Sequence, residues 1–272
     1  MAASELFDLQ SHGPDTYVGQ GPQYPWGGLF GGQIVAQALR AAAATVEPEQ
    51  VVHSLRAYFI RRGDHTEPIR FEVDRIRNGR SFATRRVVAR QAIGAILNLE
   101  ASFHRFEQTE DLQTVPFDST LPGPDDLPTD AWSPSFDRRS VPDGQLDGIH
   151  REGAGRRAVW MKVNHSLPDD ELLHRCWLAY MSDDVPTDSV RECHPRFHGP
   201  EGHLLTMSAS LDHTIWFHRP VKADQWHLYD LTAHSFQGAR GLSIGHVFAA
   251  DGTHIATVAQ EALVREAHEP RG

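Results

Sequence analysis

The chain has 272 residues and a formal net charge of -10, which excludes a nucleic-acid partner, because nucleic-acid phosphates call for an excess of Lys and Arg. Its length suits one large domain or two units of about 130 residues, and two cysteines, Cys176 and Cys193, are too few for a disulfide framework, so a cytoplasmic setting is expected. The opening MAASELFDLQ lacks the basic and apolar regions of an export signal, and no run approaches the roughly 18 apolar residues of a membrane span, so no membrane insertion is expected.

In chain order, an irregular Gly- and Pro-rich stretch, HGPDTYVGQGPQYPWGGLFGG, gives way to IVAQALRAAAATV. Strong helix formers without a breaker predict a helix of about three turns. Its apolar residues nearly encircle it, with Gln33, Gln37 and Arg40 as exceptions, so other structure should wrap it. Four extended segments follow, VVHSLRAYFIR, IRFEVDRIRNG, SFATRRVVARQ and AILNLEASFHR, divided by the turn-forming RGDHTEP, NG and AIG. From 107 to 150 the chain turns acidic and collects Pro116, Pro122, Pro124, Pro128, Pro134 and Pro142 without an apolar period, which predicts an exposed linker.

Beyond the linker, SLPDDELLHRCWLAYMSDD predicts a second helix with Ser166 or Asp169 near its N-cap. Four more extended segments complete the chain: SASLDHTIWFHRP, WHLYDLTAHS, ARGLSIGHVFAADG and THIATVAQEALVR. Helix then strands has recurred, and by offset Phe59 falls opposite Phe217 and Glu100 opposite Gln260. The expected class is α+β: two tandem units, 1–106 and 151–272 around the linker 107–150, each a curved antiparallel sheet wrapped around a central helix.

Several motifs invite chemistry. Gly241-Leu242-Ser243-Ile244-Gly245 fits the G-x-S-x-G nucleophile elbow, which needs a helix after the serine, whereas HVFAADGTHIATV reads as strand, turn and strand. CHPRFHGPEGH carries Cys193, His194, His198 and His203, yet Pro195 and Pro200 make it a loop and no second ligand cluster exists, so no metal is expected. GGLFGGQ could cradle a phosphate at a helix N-terminus, but it lacks the G-x-G-x-x-G or Walker spacing, and close packing of Gly31 and Gly32 at the helix entry explains it better.

Facing is more informative. On a helical projection Asp183 lies only about 20° from Leu172, in the apolar stripe of the second helix. A carboxylate there is costly unless paired or neutral, and such surroundings tune bases; alternatively, the last turn projects beyond the core. Gln260 shares a strand face with Val258 and Ala262, which fits either a site residue or a buried glutamine satisfied by backbone. In SASLDHTIWFHRP, alternation puts Ser210, Asp212 and Thr214 on one face and Leu211, His213 and Ile215 on the other, so Ser210 has no histidine on its own face.

FGGQIVAQAL, HSLRAYFIRRGD, AYMSDD, SLDHTIWFHRP and AQEALVR, in that order, resemble the acyl-CoA thioesterase II family of double hot-dog hydrolases. The resemblance runs from about Phe30 to Arg265 without the linker. It implies a catalytic set of Asp183 from MSDD, Ser210 from SLDH and Gln260 from AQEA, an acyl-CoA substrate, no cofactor beyond the CoA of the substrate, and a homo-oligomer, dimer or tetramer. DVPTDSV departs from the family pattern after Ser-Asp and leaves Asp184 as a rival to Asp183. Candidate substrate contacts are Gly32 and Gln33 of FGGQ, Tyr58 of AYFIR, and Arg80 and Arg86 of the positive run RIRNGRSFATRRVVAR, which could meet CoA phosphates, form a solvated face or pair with the acidic linker. The expected chemistry is thioester hydrolysis by a water held by the three residues, with Asp183 as base. A hot-dog enoyl-CoA hydratase or dehydratase and a non-catalytic acyl-CoA binder are the alternatives.

Overall fold

The computed structural model describes residues 5–146, 155–199 and 201–267. Two compact units emerge, one drawn from Met1–Leu112, Leu167–Met181 and Thr214–Ala223, the other from Gln113–Ser166, Ser182–His213 and Asp224–Gly272.

In the first unit β1 (Gln10–Ser11), β2 (Thr16–Gly19), β3 (Gln50–Phe59), β4 (Ile69–Asn78), β5 (Phe82–Gln91) and β6 (Gly94–Arg105) pair antiparallel in the order β1-β2-β4-β5-β6-β3. Helix α1 (Gly31–Ala43) packs across β2 to β6. Leu39, Leu55, Phe71, Val87 and Leu99 are buried between helix and sheet, the burial that chiefly stabilises such a layer. The helix is enclosed as its composition predicts, and Gln37 satisfies its amide on the carbonyls of Leu6 and Gln20 at 2.7 and 2.8 Å. Helix α2 (Glu171–Met181) belongs to this unit and lies against α1. A Cβ on Gly32 would come within 2.2 Å of the Tyr180 carbonyl, so the glycine at the helix entry is there for close packing.

In the second unit β7 (Phe136–Ser140), β8 (Arg156–Val163), β9 (Thr206–Ser210), β11 (His227–Gln237), β12 (Arg240–Ala249) and β13 (His254–Glu266) pair antiparallel in the order β7-β8-β11-β12-β13-β9. Element for element, this is the order of the first unit. Helix α3 (Val185–Glu192) covers β8, β11, β12 and β13, and the short α4 (Gly202–Leu205) leads into β9. β10 (Asp212–Phe217) begins in this unit and continues into the first.

The grouping departs from the chain-order expectation in several places. Residues 113–146 are not an exposed linker: Leu127, Val141 and Leu146 are buried against Trp160, Leu228 and Phe248, and Phe136 to Ser140 form a strand. The second helix stops at Met181, and α3 starts afresh after a turn, with Pro186 in its first turn, where proline is tolerated. Asp170, rather than Ser166 or Asp169, caps α2 by accepting the Leu173 amide at 3.1 Å. SASLDHTIWFHRP is two strands broken at Leu211. The repeat offset also shifts by one. Leu97, Leu99, Ala101 and Phe103 alternate as buried residues along β6, and Val258, Gln260, Ala262 and Val264 do so along β13. Glu100-Ala101 therefore matches Glu261-Ala262, and the counterpart of Gln260 is Leu99, because one residue of slip exchanges the two faces of a strand.

Candidate active site

Asp183, Ser210 and Gln260 come from three elements of the second unit and meet. Ser210 Oγ donates to Asp183 Oδ1 at 2.9 Å, and Gln260 Nε2 donates to Ser210 Oγ at 2.9 Å. A weaker contact of 3.4 Å joins Gln260 Nε2 to Thr187 Oγ1 on α3. Asp183 sits in the turn between α2 and α3 rather than within a helix, and it is 5 % exposed. A carboxylate this buried requires hydrogen-bond partners. Its place just before α3 also sets it near the helix N-terminus, where negative charge is favoured.

Asp184 is occupied elsewhere. Its carboxylate accepts Arg138 Nε from β7 at 2.7 Å and also the Trp132 indole N–H. Burial works against charge on Arg138, but Asp184, Asp130 and Asp188 together raise its pKa, so the guanidinium clamps the turn beside Asp183. The two carboxylates thus have different partners: Asp184 holds the break in the helix, and Asp183 faces Ser210.

Ser210 ends β9, and Leu211 steps out of the ladder, its amide donating to the Glu261 carbonyl at 2.9 Å. Asp212 Oδ1 accepts the Glu261 amide at 2.7 Å and so fixes the break; burial raises the Asp212 pKa. The interruption resets the alternation. His213 joins Ile215 and Phe217 on the buried face of β10 while Ala209 is exposed, and the inference that Ser210 and His213 face apart is corrected. Both reach the same side chain: His213 Nδ1 is 2.5 Å from Gln260 Oε1, and His213 Nε2 is 2.9 Å from Ser182 Oγ. Burial lowers the His213 pKa to about 4, with the Gln260 contact opposing, so the ring is neutral near pH 7. Sequence reasoning missed Ser182, Thr187 and His213. The signal available for His213 was a histidine sharing the apolar face of Ile215 and Phe217, where it must find partners.

The remaining motifs fall away. Ser243 lies inside β12, fully buried beside Ser189 Oγ at 2.6 Å, with strand on both sides. Among the described residues no group of three or more His, Cys, Asp and Glu could hold a metal ion. His194 stacks on Phe197 at 4.1 Å between ring centroids.

The five candidate substrate contacts all belong to the first unit. Gly32 and Gln33 are buried, and Gln33 Nε2 donates to Gln37 Oε1 at 3.3 Å, so both serve the interior of that unit. Arg86 pairs with Asp74 at 2.7 Å. Its neighbours in the positive run are engaged too: Arg75 with Asp15, Arg90 with Glu72, and buried Arg85 with Thr45 and Asn78. Tyr58, 63 % exposed, and Arg80 present open side chains. Among the described residues no helix is long and apolar enough to cross a membrane.

Comparison with known proteins bears on the family and the fold. Residues 21–104 match the family model for the acyl-CoA thioesterase N-terminal domain, and residues 109–264 match the one for the C-terminal domain. Acyl-CoA thioesterase 2 of Haemophilus influenzae is 33% identical over 255 residues, covering 87% of each chain. The crystal structure of an acyl-CoA thioesterase II from Mycobacterium marinum superposes with a TM-score of 0.85 at 36% identity, over 99% of this chain and 100% of that one. A hot dog-fold protein of unknown function from Alicyclobacillus acidocaldarius gives a TM-score of 0.78 at 21% identity, over 98% and 99% of the two chains, and bears on the fold alone. The fold class is thus α+β, a double hot-dog.

Proposed function

The chain belongs to the acyl-CoA thioesterase II family, and we propose that it hydrolyses its acyl-CoA thioester through one water held by Asp183, Ser210 and Gln260. The observation that carries this reading is the pair of 2.9 Å hydrogen bonds that draw the three side chains together at a buried carboxylate. Asp183 takes a proton as the water oxygen attacks the thioester carbonyl carbon. The resulting tetrahedral oxyanion collapses, the carbon–sulfur bond breaks, and the departing CoA thiolate recovers a proton from Asp183. Gln260 and Ser210 hold the carboxylate and its water in one geometry, which lowers the barrier without a covalent intermediate.

Ser210 as a nucleophile is disfavoured, because its hydroxyl gives its hydrogen to Asp183 and contacts an amide rather than an imidazole. A hydratase-type Asp/His pair is disfavoured as well: Asp212 is held by the Glu261 amide, and both ring nitrogens of His213 have partners. The test is release of free thiol from acyl-CoA by wild type and by Asp183→Asn. A positioned base contributes about 10² to 10⁴-fold, so kcat should fall by that factor with KM nearly unchanged. Full turnover by the variant rules out Asp183 as the base, and binding without thiol release by the wild type rules out hydrolysis.

A further inference from the structure

Two fully buried groups outside the water-holding trio, Ser182 and His213, extend it into a chain of five side chains: Ser182, His213, Gln260, Ser210, Asp183. Its polarity follows from the carboxylate at one end. In the base form of Asp183, which rests on the reading just given, Oδ1 can only accept, so Ser210 must direct its single hydroxyl proton there. Ser210 Oγ can then only accept from Gln260, which must turn Nε2 rather than Oε1 toward it. That aims the amide oxygen at His213 Nδ1, 2.5 Å away, and this nitrogen must carry the ring proton. A neutral imidazole protonated at Nδ1 has an acceptor at Nε2, which lies 2.9 Å from Ser182 Oγ.

We infer that His213, as the Nδ1–H tautomer, is a positioning residue: its ring N–H on Oε1 holds the Gln260 amide in the flip that keeps the Ser210 hydroxyl proton on Asp183. Among the described residues the amide has one other hydrogen-bond partner, and it does not discriminate between the flips. Thr187 Oγ1, at 3.4 Å, is a hydroxyl and can meet either end of it. With His213 and Gln260 both at 0 % exposure, bulk water has no access to replace the imidazole. Without His213, the two amide flips lie closer in energy, and one of them turns the Ser210 proton away from the base.

Three measurements test this. In uniformly 15N-labelled wild type, the His213 ring nitrogens should report the Nδ1–H tautomer; an Nε2–H signature overturns the inference and needs no variant to fold. His213→Leu should lower kcat about tenfold or more with KM within about twofold, and His213→Asn, whose side-chain amide can donate near the Nδ1 position, should recover most of the loss. In a double-mutant cycle, His213→Leu added to Gln260→Leu should cost little beyond Gln260→Leu alone, since both remove the same device. Additive losses, as a purely structural histidine would give, or wild-type kcat in His213→Leu overturn it. If Asp183→Asn is inactive while His213→Leu is not, only this inference fails; if Asp183→Asn keeps full rate, the water-holding reading fails first.

Discussion

Leu99 in the first unit and Gln260 in the second occupy the same place in the same strand order, and each is fully buried. Around Leu99 the interior is apolar, and its cross-strand partner on β5 is Val87. Around Gln260 it is polar: Ser243 opposite on β12, with Ser210 and His213 on the amide. The solvent faces agree better, with Glu100 flanked by Arg56 and Arg86 and Glu261 near Arg240 at 3.5 Å. The helices diverge at the corresponding point. α1 is a single helix of 13 residues, whereas the second repeat breaks between α2 and α3, and the break presents Ser182 and Asp183. One repeat uses the plan for a hydrophobic core, and the other opens that plan at two places, a helix and a strand, to admit polar groups. The cost of burying them is offset because each finds a hydrogen-bond partner.

Replacing Gln260 with the residue its counterpart carries is the most direct way to break the contrast. Gln260→Leu should lower kcat by about 10² to 10³-fold, the usual loss when one positioned donor is removed from a catalytic site. Thiol release at saturating acyl-CoA measures it, and a variant within threefold of wild type would mean that the amide is a packing residue like Leu99.

The parts of this difference that sequence reveals are those carried by periodicity. α1, β3 to β6 and β11 to β13 follow from apolar spacing and turn residues. Asp183 and Gln260 stood out as polar groups on apolar faces, although Asp183 owes its burial to a turn. Other parts had no periodic signal. β8 is buried on both faces, so its residues show no alternation, and Val115, Phe117 and Leu121 pack through an irregular backbone without a repeat. The break at Leu211 depends on a hydrogen bond that Asp212 accepts from the amide of a residue 49 positions away, which local alternation has no means to register, and for that reason His213 was placed on the wrong side of the site.

Burial of His213 in the second unit should make part of the chain's stability depend on pH. Its pKa is about 4 in the folded chain against 6.5 for an ordinary histidine. The folded state therefore resists protonation that the unfolded state accepts. That contribution is complete above pH 6.5, declines as pH falls, and is gone below about 4, with a total of about 3 kcal/mol. Denaturant unfolding of wild type and His213→Asn at intervals from pH 7 to pH 4 isolates it, since the other acid-titrating groups are shared. Equal slopes for the two proteins would show that the ring titrates normally.

The reverse substitution, Leu99→Gln, is the mildest perturbation and the most exacting about what makes a buried glutamine tolerable. Gln260 has a donor at its oxygen and acceptors at its nitrogen, whereas a glutamine at 99 would lie between β5 and β3, opposite Val87 and Ala57. Neither side chain offers a hydrogen bond, and the backbone groups of β6 are committed to the ladder. An amide buried without partners costs about 1–3 kcal/mol, so Leu99→Gln should lower the free energy of unfolding by about 2 kcal/mol. Its kcat should remain that of wild type, because no member of the hydrogen-bond chain lies in that unit's sheet. Chemical denaturation gives the first quantity and thiol release the second. A glutamine accepted at 99 without loss would mean that the first repeat is already open to polar groups, and that the polarity of the second owes less to the broken helix and the interrupted strand than to its sequence at position 260 alone.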